Sequence, residues 1–398
     1  MKELLFVYDR MMVGGTTTAL LALLNSIDYS KYSVDLLLYD SNGPYMKFVP
    51  PKTYVLTSAH KENKIMSSSY KKIMLSLFNG NIFRALCSYL KYKNTAKGNL
   101  RSILYHYSFK AQGALSRKLD KHYDAAIGFI EGWSDHYVLS NKVKADKKIV
   151  WIHPDYKDSY LIPEADKKVF NKADAIVMVS SRCKNNFDKI FPQFSNKSQV
   201  IQNINSCELI RKRANEPLDF AKKARVNICT VCRCDMKVKG LDRILLALAR
   251  LKQENLIEDV TWHLVGAGPD FEELKNQISF NKLNENIVLY GDVLNPLPLL
   301  SRMDAFVLAS RYEGKPVSID EAMSLRVPCI VTEYASAHEQ IKNRYNGIVV
   351  PNDDSSIYYG LKEIITDDHF RNEMKRNLEE SSLDNSYVIK DFYNLLGD

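Results

Sequence analysis

The sequence predicts an α/β protein with two doubly wound, parallel-sheet domains. Short apolar runs, among them residues 4–8, 34–39 and 226–231, alternate with longer segments of helical spacing. The chain has 398 residues, of which 45% are hydrophobic, and this is enough for two separate cores. A charged stretch containing Glu216-Pro217 separates two such alternating series. We therefore expect a first domain over residues 1–206, a second over 207–380, and a C-terminal helix in 381–398.

The first domain is expected to open with a β-α-β unit. Residues 4–8 form an apolar strand, a loop ends in Gly14-Gly15, and a helix begins near Thr16 before the next strand at 34–39. A glycine between a strand and a helix N-terminus lets the backbone approach a ligand closely, so Gly15 is a candidate binding position. The alternative is a simple tight turn, because neither a G-x-G-x-x-G motif nor a P-loop is present.

A basic segment over residues 61–121 interrupts this alternation. It contains 13 Lys and Arg against two acids, so its net charge of +11 exceeds the +8 of the whole chain. Aromatic residues are interleaved with the charges, and part of the segment has amphipathic spacing. Such a segment is suited to an anionic membrane surface, and the alternative is a solvated insertion. No zinc-finger spacing or RNA-binding motif supports a nucleic-acid partner.

Several classes of protein are disfavoured by composition. No run of about 18 apolar residues is present, so no transmembrane helix is expected. The N-terminus resembles a strand rather than a signal peptide. Seven cysteines do not suggest a disulfide framework, and a reducing cytoplasm is the simplest setting. Cys229, Cys232 and Cys234 are expected to pack as small hydrophobic residues, with a zinc site as the alternative.

The stretch 305–325 is the strongest candidate site. It is predicted to form a buried strand, a polar loop with Gly-Lys-Pro, and a helix, which is where α/β sheets bind ligands. Free amides at the helix N-terminus suit a phosphate, while Glu313 and Glu321 suit hydroxyl groups. A nucleotide-sugar has both kinds of group. The alternatives are a solvated Glu313 and a capping box in which Glu321 pairs with Ser318.

Two other places offer binding groups. The loop after residues 226–231 contains Arg233, Lys237 and Lys239, and such cations can neutralise a diphosphate or simply face solvent. His153 follows the strand at 148–152, where Pro154 ends the strand. A histidine at the carboxyl end of a strand can face a ligand cleft or serve as a structural hydrogen-bond partner.

Glu313, Gly314, Pro316 and Glu321 match the Glu-(x)7-Glu signature of retaining glycosyltransferases of family 4. The Ser-Arg-Tyr-Glu-Gly variant resembles bacterial enzymes that build capsular and other surface polysaccharides. The resemblance implies a GT-B fold, with two Rossmann-like domains facing a cleft. It assigns the donor diphosphate to Arg233 and Lys239, the donor-sugar hydroxyls to Glu313 and His153, and the ribose to Glu321. It implies further donor contacts at Gly15, Gly266, Val293, Gly314, Lys315, Pro316 and Val317.

The sequence departs from the family pattern in two loops. Cys232 replaces the usual glycine, and the following loop is one residue longer, so Lys239 is the better match to the diphosphate lysine and Lys237 is the alternative. Residues 335–339 replace the usual Gly-Gly-x-x-Glu loop.

The resemblance implies transfer of a hexosyl or N-acetylhexosaminyl group, with retained configuration, from a nucleotide-sugar to a lipid-linked glycan. We expect no cofactor and no metal, because the chain contains no Asp-x-Asp triplet. The expected location is peripheral, at the cytoplasmic face of the plasma membrane. A nucleotide-sugar 2-epimerase and a non-catalytic glycosyltransferase-like partner subunit are the alternatives.

Overall fold

A computed structural model describes residues 1–56, 90, 102–103, 106, 109, 116–159, 161–218 and 224–398. Most of the predicted basic insertion at 61–121 therefore lies outside the described residues. The chain divides into two compact units. The first comprises residues 1–12, 23–202 and 388–398, and the second comprises 13–22 and 203–387. The predicted domain limits at 206 and 380 stay predictions.

The first unit contains a seven-stranded, fully parallel sheet in the order β3-β2-β1-β4-β5-β6-β7. The strands are β1 Lys2–Arg10, β2 Tyr32–Asp40, β3 Tyr54–Leu56, β4 His122–Gly128, β5 Lys144–Ile152, β6 Ala175–Met178 and β7 Ser198–Val200. The α-helices whose limits the structure describes in this unit are Trp133–Val138, Pro163–Phe170, Ser181–Ile190 and Ile389–Leu396, with Gly15–Ser26 divided between the units.

The last helix packs onto the core of the first unit. Phe392 is fully buried, and its ring centroid lies 6.0 Å from that of Phe6 on β1 and 6.4 Å from that of Trp151 on β5. Tyr393 stacks on Tyr32 with centroids 5.1 Å apart. Burial of these aromatic rings is the main force that holds the helix on the sheet.

The second unit contains a six-stranded parallel sheet in the order β10-β9-β8-β11-β12-β13. Its strands are β8 Val226–Val231, β9 Val260–Val265, β10 Ile287–Gly291, β11 Ala305–Leu308, β12 Cys329–Thr332 and β13 Gly347–Val350. Its helices are Cys207–Ala214, Met236–Lys239, Leu241–Gln253, Phe271–Phe280, Leu297–Leu300, Val317–Ser324, Ala337–Gln340, Ser356–Thr366 and Asp368–Glu380. Helix Cys207–Ala214 lies directly before Glu216-Pro217, in the charged stretch that separates the two alternating series in the sequence.

Both faces of the second sheet are covered, which explains its continuous apolar strands. Successive residues of β11 alternate between the two cores: Ala305 and Val307 belong to one, and Phe306 and Leu308 to the other. The strand order reverses between β8 and β11, because β8 pairs with both β9 and β11. Ligands of open α/β sheets bind at such a reversal, beyond the carboxyl ends of the strands. The loops after β8 and β11 are therefore the expected binding loops.

Candidate active site

The loops after β8 and β11 are in direct contact. Gly240 adopts φ +63°, and a Cβ there would lie 2.0 Å from the carbonyl oxygen of Ala309. No side chain fits such a space, so glycine allows the two loops to touch. The Arg311 amide donates to the Val238 carbonyl at 2.9 Å. These contacts place the helix Met236–Lys239 beside the loop that carries Glu313.

Lys239 and Glu313 form a largely buried ion pair. The Lys239 Nζ lies 2.5 Å from Glu313 Oε1, and the Ser310 hydroxyl donates to the same oxygen at 2.7 Å. The two charged side chains are 19% and 12% exposed. Burial disfavours the charged lysine, but the Glu313 carboxylate outweighs burial and raises the pKa of Lys239. The lysine is therefore a fixed cation at neutral pH.

The other two candidate cations point elsewhere. Arg233 has a 63% exposed side chain and donates to Asp235 Oδ2 at 2.8 Å. It is near enough to Lys239 for its charge to act on the pKa of that lysine. Lys237 is exposed. The structure thus brings Lys239, rather than Lys237, against Glu313.

An arginine clamp that the sequence analysis missed holds the Glu313 loop. Arg311 makes a two-pronged contact with Asp242 at 3.0 and 2.7 Å, and also donates to the Met236 carbonyl at 2.9 Å. Bidentate arginine–carboxylate pairs combine strength with fixed geometry. Arg311 lies in the Ser-Arg-Tyr-Glu-Gly stretch, but the sequence does not show that its partner is Asp242.

The helix Val317–Ser324 begins next to this loop. Pro316 occupies its N-cap with extended backbone, and no side chain caps the helix. The alternative of a capping box formed by Ser318 and Glu321 does not apply, because Ser318 already lies inside the helix. Lys315 lies 3.5 Å from Asp320, and this pair is almost fully buried. Gly314, at the turn before these residues, is also buried.

Glu321 is buried with only 8% of its surface exposed. No side chain in the described part of the chain makes a hydrogen bond to its carboxylate. Burial raises the pKa of Glu321 to about 7, although the charge of Arg213 acts in the opposite direction. A largely buried carboxyl group with a raised pKa is a candidate ligand-binding group.

The remaining candidate positions of this unit have structural roles as well. Gly266 adopts φ +131°, and a Cβ there would lie 1.9 Å from the carbonyl oxygen of Cys232. Val293 is partly buried against one of the cores of the sheet. A Cβ on Gly15 would make an ordinary contact with Val317, at 3.8 Å. Glycine is thus required sterically at 266, whereas Gly15 has room for a side chain.

The three cysteines near β8 give no support to the zinc alternative. Cys229, Cys232 and Cys234 are free thiols. Burial raises the pKa of Cys232 to about 12, so the thiol is protonated at neutral pH. Among the described residues, none of the three belongs to a group with metal-like spacing.

His153 belongs to the first unit, directly after β5. Its Nε2 lies 2.9 Å from the Phe129 carbonyl, so Nε2 carries the hydrogen and donates. Its backbone amide donates to Glu131 Oε2 at 3.3 Å. Burial lowers the pKa of His153 to about 4, despite the carbonyl contact. The imidazole is therefore neutral, with Nδ1 as an acceptor that suits a hydroxyl group.

Comparison with known proteins identifies the second unit. Residues 217–381, which include Lys239, Glu313 and Glu321, match the family described as glycosyl transferases group 1. This part of the chain is a group 1 glycosyl transferase domain. The domain therefore contains the ion pair, the arginine clamp and the buried Glu321.

Two curated relatives are bacterial enzymes. The chain is 31% identical over 144 residues to the Escherichia coli UDP-Gal:alpha-D-GlcNAc-diphosphoundecaprenol alpha-1,3-galactosyltransferase, a match covering 35% of this chain and 36% of the relative. It is 28% identical over 214 residues to the Campylobacter jejuni N-acetylgalactosamine-N,N'-diacetylbacillosaminyl-diphospho-undecaprenol 4-alpha-N-acetylgalactosaminyltransferase, covering 52% and 55%. The chain thus spans about a third to a half of the length of these relatives.

The crystal structure of Anabaena HepE in complex with UDP matches with a TM-score of 0.68 and 14% identity, covering all of both chains. At this identity the likeness concerns the fold. The predicted GT-B class with two parallel-sheet α/β domains is confirmed. None of the helices in the described part of the chain is long and apolar enough to cross a membrane.

Proposed function

We propose that the chain is a retaining glycosyltransferase that moves a hexosyl or N-acetylhexosaminyl group from a nucleotide-sugar to a lipid-linked glycan. The observation that carries this proposal is the buried cluster of Lys239, Glu313 and Ser310 in the group 1 glycosyl transferase domain. In this cluster a fixed cation and a carboxylate lie beside a helix N-terminus. The cation and the helix amides suit the diphosphate of a nucleotide-sugar, and the carboxylate suits its sugar hydroxyls.

Lys239 and the first amides of the helix Val317–Ser324 would stabilise the leaving diphosphate. When the bond between the anomeric carbon and the diphosphate breaks, the electron pair leaves with the diphosphate oxygen. A cation already held in place by Glu313 stabilises that charge without reorganisation, and such preorganised groups usually provide the largest catalytic term. Arg233 would turn from Asp235 towards the phosphates when the donor binds. This arrangement requires no divalent metal and no cofactor.

The carboxylates would bind hydroxyl groups at the two ends of the donor. Both observed contacts to the Glu313 carboxylate fall on Oε1, so Oε2 is suited to accept from a sugar hydroxyl. Glu321 would accept from the ribose, which would supply the hydrogen bonds that the described residues do not provide. The neutral His153 would contact the donor sugar through Nδ1, a role supported by the family resemblance.

The relatives suggest the class of donor and acceptor. The Escherichia coli relative is named for UDP-Gal and for an acceptor on diphosphoundecaprenol, and the HepE complex contains UDP. A UDP-sugar and a polyprenyl-diphosphate glycan of bacterial surface-polysaccharide synthesis are therefore the first candidates. This acceptor would place the enzyme at the cytoplasmic face of the membrane. The basic segment 61–121 would hold it on anionic lipid.

The test is to incubate the full chain with UDP-hexoses and UDP-N-acetylhexosamines, and to measure UDP release with and without undecaprenyl-diphosphate-linked sugars. Transfer from an α-linked donor should give an α-linked product by NMR, which defines retention. Lys239→Gln should abolish most of the turnover, while the exposed Lys237→Gln serves as the matched control. A folded chain that binds UDP but neither transfers nor hydrolyses any donor would support the partner-subunit alternative. A β-linked product would exclude the retaining mechanism.

A further inference from the structure

Two histidines and an aspartate of the first unit form a compact group: His106, His136 and Asp166. His106 Nδ1 lies 3.6 Å from Asp166 Oδ1, and His136 Nε2 lies 4.0 Å from the same oxygen. One ligand atom from each residue can be chosen so that all three lie within 4.8 Å of one another. Among the described residues, this is the one group of three potential ligands with such spacing.

The group is held by separate elements. His136 lies in the helix Trp133–Val138, which follows β4, and Asp166 lies in the helix Pro163–Phe170, which follows β5. Ile103 packs against Ile162 and Ala165 in a small buried cluster. His106 is three positions after Ile103, and Asp166 directly follows Ala165. The packing of this cluster therefore supports the approach of His106 to Asp166.

The surroundings resemble the second shell of a metal site. The Tyr156 hydroxyl donates to Asp166 Oδ2 at 2.8 Å, while Oδ1 is the oxygen near both imidazoles. Ligating carboxylates are usually oriented by such a hydrogen bond. The side chains of His106 and Asp166 are each 4% exposed, and that of His136 is 10% exposed. The Phe109 ring lies 6.1 Å from the His136 ring, centroid to centroid, and adds an apolar wall.

A further buried carboxyl group, that of Asp135, lies next to His136 in the sequence. Asp135 is 2% exposed, and its Oδ1 has no hydrogen-bond partner in the described part of the chain. A divalent cation bound by the group would offset the cost of burying carboxyl groups in this place.

We propose that His106, His136 and Asp166 bind a divalent transition metal, with Zn²⁺ as the first candidate, and that the metal joins the elements following β4 and β5. Two imidazoles and one carboxylate suit zinc, with water as the fourth ligand, whereas Mg²⁺ prefers oxygen ligands. Bond lengths of about 2.0–2.1 Å place tetrahedral ligand atoms about 3.4 Å apart, so the observed spacing needs only a small contraction. The role is structural and independent of donor chemistry.

The experiment is a metal titration of the full chain without an affinity tag, after removal of bound metals with a chelator. Zn²⁺ should bind with a stoichiometry of one per chain in calorimetry and raise the melting temperature, while Mg²⁺ should do neither. Co²⁺ should give visible absorption bands typical of a low-coordinate nitrogen and oxygen site. Tyr156→Phe removes only the outer hydrogen bond and should weaken Zn²⁺ binding about 10–100-fold.

Ligand variants decide whether the metal is bound by this group. His136→Gln and Asp166→Asn keep the size of each side chain and should lose the Zn²⁺ response by more than the Tyr156 variant. The matched control is His122→Gln, since His122 also lies near an aspartate, Asp146 at 3.1 Å, but on the surface. The inference is overturned if wild-type protein binds no Zn²⁺, or if both ligand variants bind it like wild type. If a ligand variant fails to fold, Tyr156→Phe alone still decides, because unchanged Zn²⁺ affinity in that variant contradicts the proposed second shell.

Discussion

Replacing the buried Glu321 with glutamine should stabilise the second unit at alkaline pH and weaken donor binding. Burial raises the pKa of Glu321 from an ordinary value of 4.5 to about 7. The folded protein therefore holds this proton to higher pH than the unfolded chain does. Stability consequently falls as the pH rises from 4.5 to 7, and the whole loss is present above pH 7.

The size of this effect follows from the two pKa values. Each pKa unit corresponds to about 1.4 kcal/mol, so the charged carboxylate destabilises the fold by about 3 kcal/mol at pH 8 and about 1 kcal/mol at pH 5.5. Glutamine has the same shape and no titrating proton. The variant should therefore gain about 2 kcal/mol relative to wild type between pH 5.5 and pH 8. Donor affinity should fall about tenfold at pH 8, because a neutral amide accepts a weaker hydrogen bond than a carboxylate.

Guanidinium unfolding at pH 5.5 and 8, analysed separately for each resolved transition, measures the free energy of unfolding. Calorimetry with UDP measures the donor affinity. The exposed Glu258→Gln is the matched control and should show neither effect. If the difference in unfolding free energy between wild type and Glu321→Gln does not change with pH, the fold does not hold the Glu321 carboxyl in its neutral form. Unchanged UDP affinity would remove Glu321 from the donor site. Loss of stability with full UDP affinity would assign it a structural role.

Three further predictions concern the cations, the metal requirement and the membrane. In steady-state kinetics, Lys239→Gln should lower kcat about 10²–10³-fold, whereas Arg233→Gln should mainly raise the donor KM. Lys237→Gln should change neither constant. If Lys237→Gln has the largest effect, the diphosphate role belongs to Lys237. Turnover should not depend on added Mg²⁺ or Mn²⁺ after chelation, and restoration by Mg²⁺ but not by Zn²⁺ would contradict metal-independent transfer. Binding to anionic vesicles in co-sedimentation should decrease with salt, since each basic residue near such a surface contributes about 1 kcal/mol. It should also decrease in a charge-reversal variant with glutamate at Lys71, Lys72, Lys91 and Lys93, and equal binding to neutral vesicles would refute the membrane prediction.

The sequence was sufficient to predict the fold and the stretch around Glu313, because strand and helix signals are local. Alternating apolar runs indicated the parallel sheets, and Gly-Lys-Pro after a buried strand indicated the loop and helix. The limits of the helix were less predictable. The sequence suggested Ser318 as the N-cap of the helix. In the structure Pro316, whose φ is fixed by its ring, is the N-cap, and the helix begins at Val317. Capping chemistry in a sequence therefore suggested a role for Glu321 that the backbone does not allow.

Contacts between distant parts of the chain could not be predicted in this way. Arg311 and Asp242 are 69 positions apart, and their pairing depends on β8 lying next to β11. Lys237 and Lys239 both lie in the short helix Met236–Lys239, and residues two positions apart in a helix point in nearly opposite directions. Only one of the two lysines can therefore face Glu313, and the sequence alone does not show which one. The group of His106, His136 and Asp166 likewise comes from three separate stretches with no common motif.

The contrast between Lys239 and Arg233 explains why two cations of one loop should affect different kinetic constants. Lys239 is held by Glu313 before any donor arrives, so its charge acts on the leaving diphosphate without further ordering. Arg233 is 63% exposed and must leave Asp235 to reach a phosphate. Ordering such a long side chain costs up to about 2 kcal/mol of rotamer entropy, which is lost when the donor binds. A fixed cation therefore contributes mainly to kcat, whereas a recruited cation contributes mainly to donor affinity.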